Sequence, residues 1–134
     1  MAGYSGAPVA TKLGLREGIA VAHLSAPPGF RRVLAPLPPR IAWHAKLRPG
    51  LDCVLLFATD LATLERRFAP AVESLTAAGM IWVAWPKKAS GVATDLTEDR
   101  VRAHGLAAGL VDVKVCAVDA VWSGLKFVRR LRDR

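Results

Sequence analysis

Two short apolar runs, residues 53–58 and 80–85, lie on either side of an amphipathic segment, and this arrangement constrains the fold most. Both runs (CVLLFA and MIWVAW) are typical of strands that are buried on both faces. Between them, apolar residues recur at three- and four-residue steps, which predicts one helix: Leu61, Leu64, Phe68, Val72 and Leu75. Thr59 or Asp60 can cap its start, Pro70 predicts a kink or a restart, and Gly79 predicts its end.

The other elements extend this strand–helix alternation along the chain. We expect a short helical turn in 8–13, strands at 19–24, 41–45, 111–118 and 125–131, a brief helix at 30–35, and a helix from Asp95 or Thr97 to about residue 108. The prediction is one three-layer, Rossmann-like α/β domain over residues 1–134, with a mostly parallel sheet ending in an antiparallel hairpin. Residues 122–124 (WSG) are interpreted as part of the hairpin's turn.

The short connection from residue 45 to residue 53 is difficult to reconcile with a fully parallel sheet. Seven residues cannot hold a helical crossover between parallel strands. The 41–45 segment is therefore expected to pair antiparallel or to lie outside the sheet.

Composition favours a well-filled core in a reducing compartment. The chain has 134 residues, 52% of them hydrophobic, and its two cysteines, Cys53 and Cys116, lie inside apolar runs. Such cysteines are typical of buried thiols. No apolar run reaches the roughly 20 residues of a membrane span, and the N-terminus lacks the pattern of a secretory signal. We expect a cytoplasmic protein without a membrane partner.

The net charge of +8 is compatible with nucleic-acid or phosphate ligands. The excess of arginine and alanine is also what a GC-rich genome produces, so charge alone does not identify a ligand. The basic C-terminal end, with Arg129, Arg130, Arg132 and Arg134, has two interpretations. It either contacts nucleic-acid phosphates or keeps an edge strand soluble, and the second interpretation is favoured.

Several short motifs resemble one bacterial family. They are residues 2–6 (AGYSG), 12–14 (KLG), 85–92 (WPKKASGV), 94–99 (TDLTED), 114–116 (KVC) and 122–125 (WSGL). Together they resemble domain-of-unknown-function family 3052 over nearly the whole chain, and the 85–99 block is the most distinctive part. This resemblance implies no activity, cofactor or catalytic residue.

The order of elements is also similar to the second half of Rossmann-like methyltransferases. An S-adenosylmethionine (SAM) site would need a glycine-rich loop after the first strand and an acidic residue near the end of the second. The first loop is instead Ser25-Ala26-Pro27-Pro28-Gly29. The second position offers only His44, Ala45 and Lys46. Both differences argue against the usual SAM site.

The segment 86–97 is the best candidate binding site. It follows a buried strand at the end where open α/β sheets bind ligands, and it leads into a helix N-terminus that favours anions. It carries two ammonium groups and several hydroxyls, and the candidate residues are Lys87, Lys88, Ser90, Gly91, Thr94 and Thr97. The alternative is a solvated loop whose lysines keep the protein soluble, and this alternative is slightly favoured.

Other catalytic patterns are weak. Asp95, Glu98 and Asp99 are more typical of helix capping than of a base or metal pair. The three histidines have no metal-ligand spacing, and no serine has the flanks of a nucleophile elbow. The sequence therefore assigns no catalytic residue and no metal ligand.

Three functions stay open at this point. The leading hypothesis is a non-catalytic binding or regulatory module that takes an anionic small molecule or a protein partner at 86–97. The alternatives are a nucleic-acid-binding protein and a divergent enzyme that uses SAM or a nucleotide. The cofactor is unknown, and a homodimer through the terminal hairpin is compatible with the sequence.

Overall fold

The computed structural model describes residues 7–134 and contains a six-stranded sheet. The strands are β1 (Ala20–Leu24), β2 (Ala42–His44), β3 (Leu51–Phe57), β4 (Leu75–Pro86), β5 (Leu110–Ala117) and β6 (Trp122–Arg129). The α-helices are α1 (Val9–Lys12), α2 (Phe30–Leu34), α3 (Leu61–Ser74) and α4 (Glu98–Ala107). Two short 3-10 turns cover Lys88–Ser90 and Leu131–Asp133. Residues 2–6, which carry one of the family motifs, lie outside the described part.

The sheet is mostly parallel, as predicted. Its order is β2-β1-β3-β4-β6-β5, with β1 to β4 parallel and β6 antiparallel to both of its neighbours. Alternate residues of the central strands enter two separate apolar clusters. Trp82 packs with α1 and α2 on one face, and Trp85 packs with α3 and α4 on the other. The three-layer, Rossmann-like α/β fold is therefore confirmed.

The prediction for residues 41–45 was wrong. β2 pairs parallel with β1, and Ala20 lies opposite Ala42. The chain then returns to the start of β3 through residues 45–50, and Leu47 packs on the face of the sheet that carries α3 and α4. A crossover needs no helix here because β2 has only three residues, so an extended segment can span the distance.

Helix α3 is continuous through Pro70 and ends at Ser74. The predicted end at Gly79 is therefore wrong, and of the two alternatives predicted for Pro70, a kink or a restart, the restart is excluded. The guanidinium of Arg129 donates hydrogen bonds to the carbonyl oxygens of Val72 (2.6 Å) and Thr76 (2.8 Å). Val72 lies in the last turn of α3, where a cation is favourable, and Thr76 lies at the start of β4. Leu75 then pairs with Leu51 and begins β4.

The antiparallel hairpin of β5 and β6 is confirmed, but its turn is shorter than predicted. Trp122, Ser123 and Gly124 are strand residues that pair with β4. The turn is built by Asp119, whose carboxylate accepts hydrogen bonds from the amides of Val121 and Trp122, both at 2.8 Å. Because β6 lies between β4 and β5, it is not an edge strand. The interpretation that the basic C-terminal end keeps an edge strand soluble is therefore wrong.

Helix α4 begins where the sequence predicted and lies very close to the sheet. The Thr97 hydroxyl accepts a hydrogen bond from the Arg100 amide at 3.2 Å, as expected of a capping residue. Gly105 faces Phe127 of β6, and a Cβ atom built on Gly105 would lie 2.1 Å from the ring. Only glycine allows this approach of helix to strand.

Both cysteines are free and buried, as predicted. Burial raises the pKa of the Cys53 thiol, which keeps it protonated at neutral pH.

None of the helices in the described part of the chain has the length and apolar character that a membrane span requires.

Candidate functional site

The strand order reverses between β1 and β3. From β1 the chain moves outward to β2, and it then returns to build β3 and β4 on the other side. The segments that follow β1 and β3 therefore leave in opposite directions. In open α/β sheets, ligands bind in the crevice at such a reversal, outside the carboxyl ends of the strands. We call this side of the sheet, where β1 to β4 end, the carboxyl edge.

A cavity of about 330 Å³ lies at this reversal. Its walls come from the segments after β1 and β3, from the first turn of α3 and from the start of β6: Ser25, Pro27, Phe57, Ala58, Thr59, Thr63 and Trp122. A second cavity of about 230 Å³ shares Pro27, Phe57 and Trp122 with it. We call the two cavities together the crevice. The space beside residues 25–28 is thus open rather than filled by side chains.

Aromatic rings from α2, β3 and β6 line the crevice: Phe30, Phe57 and Trp122. The centroids of Phe57 and Trp122 are 5.1 Å apart, and those of Phe30 and Phe57 are 6.1 Å apart, both edge to face. The centroid of the His23 ring lies 4.8 Å from that of Phe30. Burial and the charge of Arg31 lower the pKa of His23, so its imidazole is neutral at pH 7. Phe30, Phe57 and Trp122 thus give the crevice an apolar aromatic lining.

The carboxylates at the start of α3 are occupied by backbone amides. Asp60 accepts a hydrogen bond from the Thr63 amide at 2.7 Å, and hydrogen bonds from the Thr63 side chain and amide lower the pKa of its carboxyl. Asp95, from the distant 86–97 segment, accepts one from the Leu61 amide at 2.8 Å. Two carboxylates thus cap one helix, and Asp95 does not cap α4 as one interpretation proposed.

The loop after β1 departs from a glycine-rich phosphate loop. Ser25 has a positive φ of 56°, and Gly29 has one of 74°, immediately before the five-residue helix α2. Pro27 and Pro28 supply no N–H donors. The end of β2 offers His44 and Lys46 rather than an acid. The first cavity therefore offers hydroxyls and rings, and the carboxylate in the wall of the second, Asp119, already accepts hydrogen bonds from the Val121 and Trp122 amides.

The 86–97 segment runs from the carboxyl edge to α4. The Lys87 amide donates to the Val121 carbonyl at 2.7 Å, which places this end beside the crevice. Ser90 donates to the Lys87 carbonyl at 2.6 Å and Thr94 accepts from the Leu96 amide at 3.0 Å. Gly91 adopts a φ of +79° after the 3-10 turn that includes Lys88. Ser90, Thr94 and Thr97 thus shape the backbone, and within residues 7–134 no hydrogen bond joins them into one cluster.

A third cavity, of about 360 Å³, lies at the opposite edge of the sheet. It is lined by Thr11 and Arg16 near α1, by Asp52 and by Lys126, together with apolar residues such as Met80. Asp52 accepts a hydrogen bond from the Ala20 amide at 2.9 Å. This cavity combines charges of both signs.

Sequence reasoning missed the residues of the crevice. Ser25 and Thr59 directly follow two strands that the sequence did predict, so the carboxyl-end rule could have selected them. Trp122, whose position near a turn suggested core packing or the lining of a pocket or subunit interface, lies instead at the start of an interior strand, and only its pairing with β4 places it at the crevice.

No protein-family model matches the sequence, and no curated protein sequence matches it. Solved structures do match. A precorrin-6y C5,15-methyltransferase from Geobacter metallireducens has a TM-score of 0.61 at 10% identity, over 91% of this chain and 86% of that one. A TehB-like SAM-dependent methyltransferase from Corynebacterium glutamicum has a TM-score of 0.59 at 9% identity, over 96% and 91%.

Another match is larger than this chain. A possible exported protein from Bordetella parapertussis has a TM-score of 0.56 at 13% identity, and the match covers 90% of this chain but only 64% of that protein. At these identities the likeness concerns the fold alone. The chain has the Rossmann-like fold that SAM-dependent methyltransferases share.

Proposed function

We propose that this protein binds SAM or a closely related adenosine derivative in the crevice and is a divergent SAM-dependent enzyme. The observation that carries the proposal is the open crevice at the reversal of strand order, in a fold shared with SAM-dependent methyltransferases. This alternative has more support than the non-catalytic module that the sequence favoured, because the space beside residues 25–28 is open.

The chemistry of the crevice suits parts of such a ligand. Phe57 and Trp122 stand perpendicular to each other, and a purine ring can pack against the apolar surface of either ring. The hydroxyls of Ser25 and Thr59 are exposed and can exchange hydrogen bonds with ribose. SAM, when bound, supplies a methyl group on a positively charged sulfur. The missing acid after β2 means that ribose would be held by neutral groups, so we expect weaker binding than a carboxylate would give.

The experiment is calorimetric titration with SAM, S-adenosylhomocysteine, adenosine and ATP, supported by thermal shifts. A ligand that binds only the folded state raises the melting temperature. Thr59→Phe places a large side chain at the crevice and should abolish binding. Thr11→Phe is the matched control, since Thr11 lines the cavity at the opposite edge.

Loss of ligand binding in Thr59→Phe alone supports the crevice as the binding site. Loss in Thr11→Phe alone would move the site to the other cavity and contradict the proposal. No heat and no thermal shift with any of these ligands would also overturn it.

A second candidate function is the anion or protein-partner site at 86–97. It is favoured by the position of Lys87 beside the crevice, and Lys88 is exposed. Lys87→Ala combined with Lys88→Ala should weaken binding of the charged ATP more than that of adenosine. An equal effect on both ligands would reject a role for these lysines.

Membership of family 3052 stays a proposal based on the 85–99 motif.

A further inference from the structure

The positive charge of this protein is concentrated in one part of the sequence. Between Glu17 and Asp52 there is no acidic residue, and there are five basic ones: Arg31, Arg32, Arg40, Lys46 and Arg48. This quarter of the chain therefore supplies five of the eight net positive charges. The basic C-terminal end that the sequence singled out also contains Asp133, and its Arg129 holds the end of α3.

The fold brings these cations to the outer side of the sheet. They lie on α2, on the segment before the edge strand β2 and on the segment after it, and all five are exposed. Arg40 forms an ion pair with Glu17. Within residues 7–134, the other four side chains have no acidic partner and no hydrogen bond. Unpaired cations grouped in this way attract a polyanion.

An arginine and an aromatic ring lie at the centre of this surface. The Arg31 guanidinium lies 4.6 Å from the centroid of the Trp43 ring. Arg31 also lines a shallow depression of about 360 Å³ on α2, and Trp43 lines one of about 430 Å³ that includes His44, Lys46 and Arg48. A guanidinium held on a ring is a planar donor to phosphate and a platform on which a nucleobase can stack.

We propose that this surface, formed by α2, β2 and the segment 45–48, binds single-stranded nucleic acid. Two shallow depressions that meet at Arg31 and Trp43 suit a chain that alternates phosphates with bases. Double-stranded DNA is less suited, because a five-residue helix and a three-residue strand are too short to fill a major groove. The proposal is independent of SAM binding in the crevice.

The experiment is fluorescence anisotropy with a labelled 20-nucleotide RNA of mixed sequence, on the full chain, at 50 and 200 mM salt. Three phosphate contacts to a single strand predict a slope of log K against log salt of about −2, or about a 20-fold loss of affinity over this range. Arg32→Gln/Lys46→Gln/Arg48→Gln should weaken binding at least about tenfold at 50 mM salt and flatten the slope. Arg66→Gln/Arg132→Gln/Arg134→Gln is the control, since it removes the same charge elsewhere.

Arg31→Lys separates stacking from charge. It keeps the positive charge but not the planar guanidinium, so it should weaken binding while leaving the salt slope unchanged. Circular dichroism checks that each variant is folded. Equal loss in the two triple variants would overturn the proposal in favour of diffuse attraction. Binding that ignores salt, or the absence of binding at 50 mM, would overturn it too. Tight binding to vesicles of phosphatidylserine and phosphatidylcholine, with none to RNA, would show a membrane surface instead.

Discussion

Replacement of Gly105 by alanine should destabilise the fold, although alanine is the better helix former. In an ordinary helix interior this change stabilises by about 1 kcal/mol. Here the new Cβ would lie 2.1, 2.4 and 2.5 Å from three atoms of the Phe127 ring. The shortest of these distances is 1.3 Å below the 3.4 Å at which ordinary contact begins.

The Phe127 ring has little room to move. It is fully buried, and it packs edge to face against Phe68 with the centroids 5.7 Å apart. Overpacking of a core lowers the free energy of unfolding by about 1–3 kcal/mol. A clash with three ring atoms should cost at least the upper value of this range. After the helix-propensity gain is subtracted, we expect a net loss of about 2 kcal/mol.

Urea denaturation followed by circular dichroism measures this loss, and thermal denaturation should show a decrease of about 8 °C. Phe127→Leu gives the added methyl group space, so Gly105→Ala should cost less in that background, which a double-mutant cycle detects. Ala103→Gly, at an exposed position of the same helix, controls for propensity and should cost about 1 kcal/mol. A Gly105→Ala variant as stable as the wild type would refute the reasoning.

Two further predictions concern the ends of α3. Arg129→Met removes the guanidinium that binds the Val72 and Thr76 carbonyls and should cost about 1.5–3 kcal/mol in urea denaturation, whereas Arg132→Met should have little effect. At the other end, the folded pKa of Asp60 lies below the unfolded value of 3.8, so its stabilisation is present above that value and is lost as pH falls through the folded pKa. The stability advantage of the wild type over Asp60→Asn should therefore be constant near neutral pH and shrink below about pH 4, and an advantage that persists at pH 2 would contradict this cause.

Local patterns predicted the elements that local physics determines. The fully apolar runs predicted β3 and β4, and Trp82 and Trp85, three residues apart on β4, lie on opposite faces because side chains alternate along a strand. The Thr97 cap is also local, since the hydroxyl and the amide that it binds are three residues apart. These predictions needed no knowledge of distant partners.

The errors all involve partners that are far apart in the sequence. α3 ends at Ser74, where Leu75 pairs with Leu51 and where Arg129, more than fifty residues away, binds the carbonyls of Val72 and Thr76. Trp122 and Gly124 are strand residues because β4 lies beside them, despite their turn-like composition. Prediction of the candidate site has the same limit. The 86–97 segment is continuous in the sequence and could be identified there, whereas the crevice forms only when β1 and β3 lie side by side.

The hydrogen bond between Asp95 and the Leu61 amide has a consequence for dynamics. It connects the 86–97 segment to the first turn of α3, which carries Thr63 at the crevice wall. Movement of the segment away from the sheet must break this bond and expose the Leu61 amide to solvent. The hydrogen-exchange rate of that single amide therefore reports how often the segment opens. A ligand that holds the segment in place slows this exchange, even if the ligand itself never touches Leu61.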